Sequence, residues 1–219
     1  MTSIAESNAD AIILLGGGGH AKVIVSILRK LGRFNILGYT DVRNKGVLLG
    51  IPYFGLDAEL AEYADEHKKL NLMLAVGQLG LGKARCSLWE KLQTLNFAFP
   101  PIISPNAIVN ESVSIGEGTV AMDGAVINSC ARIGRGAIVN TNSTVEHEVI
   151  LDDWVHVAPG ATICGGVTVG RFSMIGAGAT ILEGKQITAD CIVGAGATVI
   201  HDLTEPGVYA GCPARRVGS

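Results

Sequence analysis

Val145-Glu146-His147-Glu148-Val149 sets one imidazole between two carboxylates. A neutral histidine held by a neighbouring carboxylate suits general-base work near neutral pH, because the ring ordinarily titrates close to that pH. Spacing alone leaves two readings of His147: such a base, or a surface histidine in a charged rung with Glu146 and Glu148 solvated beside it. His156, nine residues on, reads by itself as a surface histidine. A second stretch with chemical potential is Gly16-Gly17-Gly18-Gly19-His20-Ala21. Gly16-x-Gly18-x-x-Ala21 matches the phosphate-binding fingerprint between a strand and a helix, where glycines admit a phosphate to the backbone and the helix start supplies N–H donors. Asp41 can accept a hydrogen bond from a ribose or sugar hydroxyl. The alternative is a ligand-free turn, but four successive glycines cost more conformational freedom than a turn requires. No Gly-Lys-Ser/Thr follows, which excludes a Walker A loop.

These residues need elements to position them. Ala11–Leu15 is a continuous apolar run, as expected of a strand buried on both faces. Ala21–Leu31 has helical spacing, with Val23, Ile27 and Leu31 expected inward and Gly32 as the stop. Asn35–Tyr39 and Leu72–Val76 read as further strands, Gly46–Phe54 as a hairpin-like excursion, and Asp57–His67 and Gly82–Leu95 as helices. Such alternation predicts a small parallel sheet flanked by helices over residues 1–102, with too few strands for a complete NAD dehydrogenase. Phe97–Ile102, with Pro100 and Pro101, leads out of it, and Met1–Ala9 reads as a loose polar lead-in.

From Ile103 to Val199 every sixth residue is Ile, Val or Leu, with Ala121 the one exception. Four residues after most of them stands a smaller residue such as Ala125, Ser143, Ala161 or Ala197, with Lys185 the misfit. A period of six fits neither a helix nor a two-sided strand. It predicts a parallel β-helix over 103–219, with the aliphatic residue inward, the small one beside it, and Gly or Asn at the corner.

Composition agrees with this division. Among 219 residues there are 29 glycines and only 5% aromatics, and the net charge is −3. No Lys/Arg cluster suggests nucleic acid, and no long apolar run or leader suggests a membrane, so a cytoplasmic protein is expected. Five scattered cysteines without a CxxC and five histidines without ligand spacing imply structural thiols and no metal.

Taken together, the Gly-Gly-Gly-Gly-His-Ala-Lys-Val opening, the repeat, Asn140-Thr-Asn-Ser-Thr-Val-Glu-His-Glu148, His156-Val-Ala-Pro-Gly160 and Gly211-Cys-Pro-Ala-Arg215 resemble the NeuD/PglD-type acyltransferases. These are nucleotide-sugar acetyltransferases of the hexapeptide-repeat superfamily. The resemblance covers nearly the whole chain in the right order. It implies a Rossmann-like domain followed by a left-handed β-helix, a handedness that spacing does not reveal. It also implies acetyl-CoA as cosubstrate and a homotrimer with active sites between subunits. The acceptor would be the 4-amino group of a nucleotide-linked 4-amino-4,6-dideoxyhexose, as in the perosamine and bacillosamine pathways.

Carried over by position, the resemblance makes His147 the base and Glu148 its orienting acid. His156 would contact the thiol arm, and the Gly165 N–H the thioester oxygen. Ala177, Ala195, Pro213 and Arg215 would line the path of the cofactor. Gly18, Gly19, His20, Asp41 and Gly77 would hold the nucleotide, while Asn140 and Asn142, on the coil below His147, would reach the sugar. Cys164 lies close enough for an acyl-enzyme to be conceived, but lacks an evident partner base. Two other readings are an O-acetyltransferase acting on sialic acid or a similar hydroxyl, and a non-catalytic trimeric β-helix scaffold. A zinc-bearing β-helix of the γ-carbonic anhydrase kind would need three histidines on neighbouring coils, and the repeat holds two before His201.

Overall fold

The computed structural model describes residues 9–64, 70–95 and 97–217. It divides into two compact units: one of residues up to Gly77 together with Leu92–Phe99, the other of Gln78–Lys91 and Pro100 onward. Most of the lead-in and residues 65–67 of the expected second helix lie outside the described residues.

In the first unit, β1 (Asp10–Leu15), β2 (Phe34–Thr40), β3 (Tyr53–Gly55) and β4 (Asn71–Leu74) form a parallel sheet in the order β3-β2-β1-β4. Ile12 to Leu15 are wholly buried, because β1 is central and covered on both faces. Helix α1 (Gly19–Leu31) ends at Gly32, whose φ of 65° permits its N–H to bond back to the Leu28 carbonyl. Its buried face is Ala21, Ile24, Val25, Ile27 and Leu28. Val23 is 40% exposed and Leu31 half-buried, so the expected inward stripe is corrected in rotation. The small Ala21 brings the helix close to the sheet, and the stripe Ala21–Ile24–Leu28 is itself a helical repeat. Between Gly46 and Phe54, Leu48 and Ile51 exchange both backbone hydrogen bonds around Leu49 and Gly50, both at positive φ. The chain then enters β3, an edge strand too short to leave a pattern in the sequence. A short helix, α2, spans Leu60–Ala64.

The helix expected over Gly82–Leu95 forms as α3 (Lys83–Gln93). Up to Lys91 it belongs to the second unit rather than to the α/β layer. Gly82 N–H donates to the Phe172 carbonyl, and Trp89 meets Trp154 edge-on at 5.8 Å. Aromatic contacts of this kind outweigh the helix's weak amphipathic signature.

The rest of the second unit is the six-residue repeat made solid. Two-residue strands stack on three faces, each paired in parallel with the strand 18 residues on: Ile138–His156–Met174 on the first face, Val126–Thr144–Thr162 on the second, Arg132–Ile150–Thr168 on the third. From Ile127 to Val199 every inward aliphatic is at most 3% exposed. The first coil is open at its end, so Val109 is 37% exposed. Polar residues among the small inward positions are satisfied. Ser143 Oγ donates to the Asn140 carbonyl at 2.7 Å, and Thr119 Oγ1 to that of Gly134 at 2.7 Å. After the last coils, Gly207–Ala210 continues the first-face sheet and Arg215–Val217 returns antiparallel upon it. The turn between them, with a cis Cys212–Pro213 bond, is tied to Thr198 through Gly211 and Ala214. No described helix is long and apolar enough to cross a membrane.

Candidate functional site

In the first unit the expected ligand residues gather at the carboxyl ends of the strands: the glycine loop after β1, Asp41 after β2 and Gly77 after β4. The chain order reverses between β2-β1 and β1-β4, which is where open parallel sheets take ligands. The four glycines divide into two pairs. A Cβ on Gly16 would come within 2.8 Å of Val76, and one on Gly17 within 2.3 Å of the Tyr39 ring, so packing demands both. Around Gly18 and Gly19 a Cβ would meet nothing within 4 Å. The protein therefore makes no steric use of the second pair. They open α1, whose first turn carries no acidic residue and whose N-cap makes no side-chain bond, a setting suited to an anion. Gly77 lies against His20, 3.5 Å from a Cβ position to the His20 Cβ.

Asp41 is less available than its position suggested. Its Oδ2 accepts the Gly17 N–H at 2.9 Å and lies 2.6 Å from Lys45 Nζ. Partial burial raises its pKa, but Lys45 and the Gly17 and Arg43 amides outweigh that and lower it. Asp41 thus pins the glycine loop, leaving Lys45 as a cation beside it that the spacing argument missed.

In the second unit the expected residues fall on two different edges of the prism. Glu146, His147 and Glu148 occupy the edge between the second and third faces, with Gly165 one coil above. His147 Nδ1 lies 3.3 Å from Glu148 Oε2. A carboxylate there accepts the Nδ1–H hydrogen bond and so favours the tautomer that leaves Nε2 with its lone pair. The ring rests against Gly165: a Cβ at that position would lie 2.6 Å from both Cε1 and Nε2. The rung is fastened by Gly166 N–H to the His147 carbonyl and Glu148 N–H to that of Ser129. Glu148 stands at φ 61°, in the column where the next coils have Gly166 and Gly184 at 68°. Ser112 at 61° and Cys130 at 65° stand below it in the same column, so the left-handed corner tolerates a side chain and Glu148 is marked out by its reach to His147 rather than by its backbone. Asn128 Nδ2 donates to Glu146 Oε2 at 2.8 Å, which ties Glu146 to the coil below. Cys164 is a poor nucleophile, since burial first, and then Glu146 and Glu183, raise its thiol pKa.

Asn140, Asn142, Ala177 and Ala195 lie along the neighbouring edge, between the first and second faces. The two asparagines are therefore not on the His147 edge, because 18 residues, not seven, complete a coil. Ala177, Gly178, Ala195 and Gly196 are all exposed. A Cβ on Gly160, Gly178 or Gly196 would touch nothing within 4 Å, so the edge is a smooth rail open to a long ligand. Pro213 and Arg215 are exposed in the C-terminal turn and strand. His156 is not a surface residue: it is 6% exposed, with Nδ1 3.1 Å from the Gln78 carbonyl and Nε2 3.1 Å from Asn140 Nδ2. Among the described residues no group of three or more His, Cys, Asp or Glu can hold a metal ion.

Known proteins agree with this architecture. Residues 11–88 match the family model described as the PglD N-terminal domain. The acetyltransferase domain of PglB from Neisseria gonorrhoeae, solved with acetyl coenzyme A, is 32% identical over 95% of this chain and 100% of that one, with a TM-score of 0.89. PerB from Caulobacter crescentus, solved with CoA and GDP-perosamine, is 35% identical over 99% of this chain and 100% of that one, with a TM-score of 0.88. Among curated proteins none matches significantly. With a parallel-sheet domain, a left-handed β-helix and near full-length similarity to both, the chain belongs to the NeuD/PglD-type family of sugar acetyltransferases.

Proposed function

We propose that this chain transfers the acetyl group of acetyl-CoA to the 4-amino group of a nucleotide-linked 4-amino-4,6-dideoxyhexose, in the cytoplasm, where both substrates are held. The observation that carries the reading is the His147 ring, fixed by Glu148 at Nδ1 and by the bare face of Gly165. The open rail past Ala177 and Ala195 fits the arm of acetyl-CoA, which supplies the activated acyl group. At the amine, His147 Nε2 takes the proton as attack proceeds, and Glu148 stabilises the resulting imidazolium. The Gly165 N–H faces charge developing on the carbonyl oxygen, a contact worth about 3 kcal/mol in other acyl-transfer enzymes. In the first unit, the Gly18–Gly19 N–H groups and Lys45 take the diphosphate, with Asp41 holding the loop.

A homotrimer belongs to this proposal. One chain presents the base on one edge and the rail with Asn140 on the next, with a whole face between them. Two copies packed side by side bring unlike edges together, and a closed ring of three uses every edge pair once.

The test is thiol release from acetyl-CoA against UDP-, GDP- and dTDP-linked 4-amino-4,6-dideoxyhexoses. Turnover with one member establishes the reaction and identifies the nucleotide. Silence with acetyl-CoA still bound by calorimetry shifts the reading to a hydroxyl acceptor such as sialic acid; silence without binding leaves a scaffold.

Two substitutions probe the halves separately. In Gly165→Ala the backbone conformation is ordinary, so the chain should fold, yet the new methyl displaces the imidazole. We expect kcat to fall about 10- to 100-fold with melting temperature unchanged; wild-type kcat would show that the ring's seat is irrelevant. Asp41→Asn should weaken binding of the nucleotide sugar severalfold and leave acetyl-CoA binding intact, with equal loss of both indicating a folding defect. Because the folded pKa of Asp41 is lowered, its hold on the loop is complete above the ordinary value of 3.8 and is lost only as pH falls through the lowered one.

A further inference from the structure

His156 uses both ring nitrogens within its own unit. The Gln78 carbonyl can only accept, so Nδ1 carries the proton. Nε2 is then bare and accepts one N–H of Asn140. The Asn140 amide cannot be turned over, because its Oδ1 already accepts the Thr141 N–H at 2.8 Å and the Thr141 hydroxyl at 3.4 Å. One Nδ2 N–H of Asn140 is left over, on the edge that continues into the rail of Ala177 and Ala195.

Beside this chain of bonds lies Arg85, 2% exposed. Its Nη1 donates to the Gly136 carbonyl and its guanidinium stands 5.9 Å from the Trp154 ring centre. Nε and Nη2 have no partner among the described residues, and no carboxylate pairs with it there. A buried cation without a counter-charge is costly, and its one evident electrostatic effect falls on His156. Protonating His156 would set a second cation beside Arg85 and turn Nε2 into a donor facing the N–H of Asn140. The other groups around the ring are uncharged: Gln78 before α3, Asn140, and Ile138 and Met174 on the strands to either side. Lys83, on the same helix as Arg85, is spent on Asp190 at 2.8 Å.

We propose that Gln78 and Arg85 lock His156 as the neutral Nδ1–H tautomer, so that Asn140, not His156, presents the hydrogen-bond donor to a carbonyl oxygen of the acyl donor, with Arg85 as a positioning residue. The inference rests on the acetyltransferase reading above and reassigns Asn140 from the sugar to the acyl-CoA side. The balance of burial and the Arg85 charge against the Gln78 carbonyl, which brings the His156 pKa down to about 4, agrees with it.

The lock is read in the full-length wild type by two-bond nitrogen–proton correlation NMR, with the His156 signals assigned from their loss in His156→Gln. They should show protonated Nδ1 and bare Nε2, unchanged from pH 7.5 to 5.0; an Nε2 proton or an imidazolium in that range overturns the proposal. In Arg85→Met, His156 should titrate between pH 5 and 7 and the KM for acetyl-CoA should rise on acidification, while Arg85→Lys restores the wild-type profile. A His156 that stays neutral in a folded Arg85→Met protein removes Arg85 from the proposal. Asn140→Asp, which exchanges the spare donor for an acceptor, should weaken acetyl-CoA binding at least tenfold by calorimetry and spare nucleotide-sugar binding. The opposite pattern overturns the reassignment. If the wild type binds no acetyl-CoA, the acetyltransferase reading falls along with the role of Asn140, and the NMR result still decides the tautomer.

Discussion

His147→Ala should melt at the wild-type temperature and lose about 10²- to 10⁴-fold in kcat, the usual worth of a positioned general base. The two halves of that expectation have separate causes. The side chain is 56% exposed on a prism edge, so its removal opens no cavity, and its backbone carbonyl still accepts from Gly166. Chemically, nothing nearby replaces Nε2: Glu146 is engaged by Asn128, and Cys164 is held as a thiol. KM for both substrates should change little, since the imidazole acts on the proton in flight rather than on the bound ground state. Single-turnover rates in the variant and wild type measure this directly. A variant with near-wild-type kcat would strip His147 of its role.

Much of the frame behind that prediction was legible without coordinates. Inward positions of a solenoid have one neighbour above and one below, so the chemistry of Ile163 or Val169 is dictated locally and repeats in the sequence. The rung Glu146-His147-Glu148 stood out for the same reason, as a departure from a strict pattern. What escaped detection depends on contacts between distant segments. The burial of Arg85 against Gly136 and Trp154, and the grip of Gln78 on His156, join residues far apart in the chain whose types carry no period. β3 is only as long as its pairing with β2 allows. The rotation of α1 followed from how closely Ala21 lets it approach the sheet, which a helical repeat read by itself leaves open. The placement of Asn140 and His147 on different edges was in principle available from the 18-residue coil.

The register itself faces a harsher test in Ile175→Asp. Ile175 is wholly buried, paired with Val157 below and Val193 above. An aspartate there sheds the apolar contacts and sets a carboxyl where no described side chain offers a partner. The loss should exceed about 4 kcal/mol, the range reserved for unpaired buried charge. Since each coil is supported only by its neighbours, the damage should spread along the stack rather than remain a point defect. Thermal unfolding followed by circular dichroism should show a melting temperature lowered by many degrees, or no folded protein. Ile175→Val, which keeps the apolar contact and trims one methylene, should cost only about 1 kcal/mol. A wild-type melting curve for the aspartate variant would mean that the residue does not point inward.

The backbone of Glu148 bears on how such a protein can be improved. A designer who averages the coils of this solenoid would write glycine at every left-handed corner, and at position 148 would gain about 1 kcal/mol by relieving the Cβ. The same edit would untether the Nδ1 proton of His147. Thermostability screens that do not also score turnover will therefore select against this side chain, and repeat averaging, a reliable guide to the interior of the prism, misleads at a corner whose side chain orients the base.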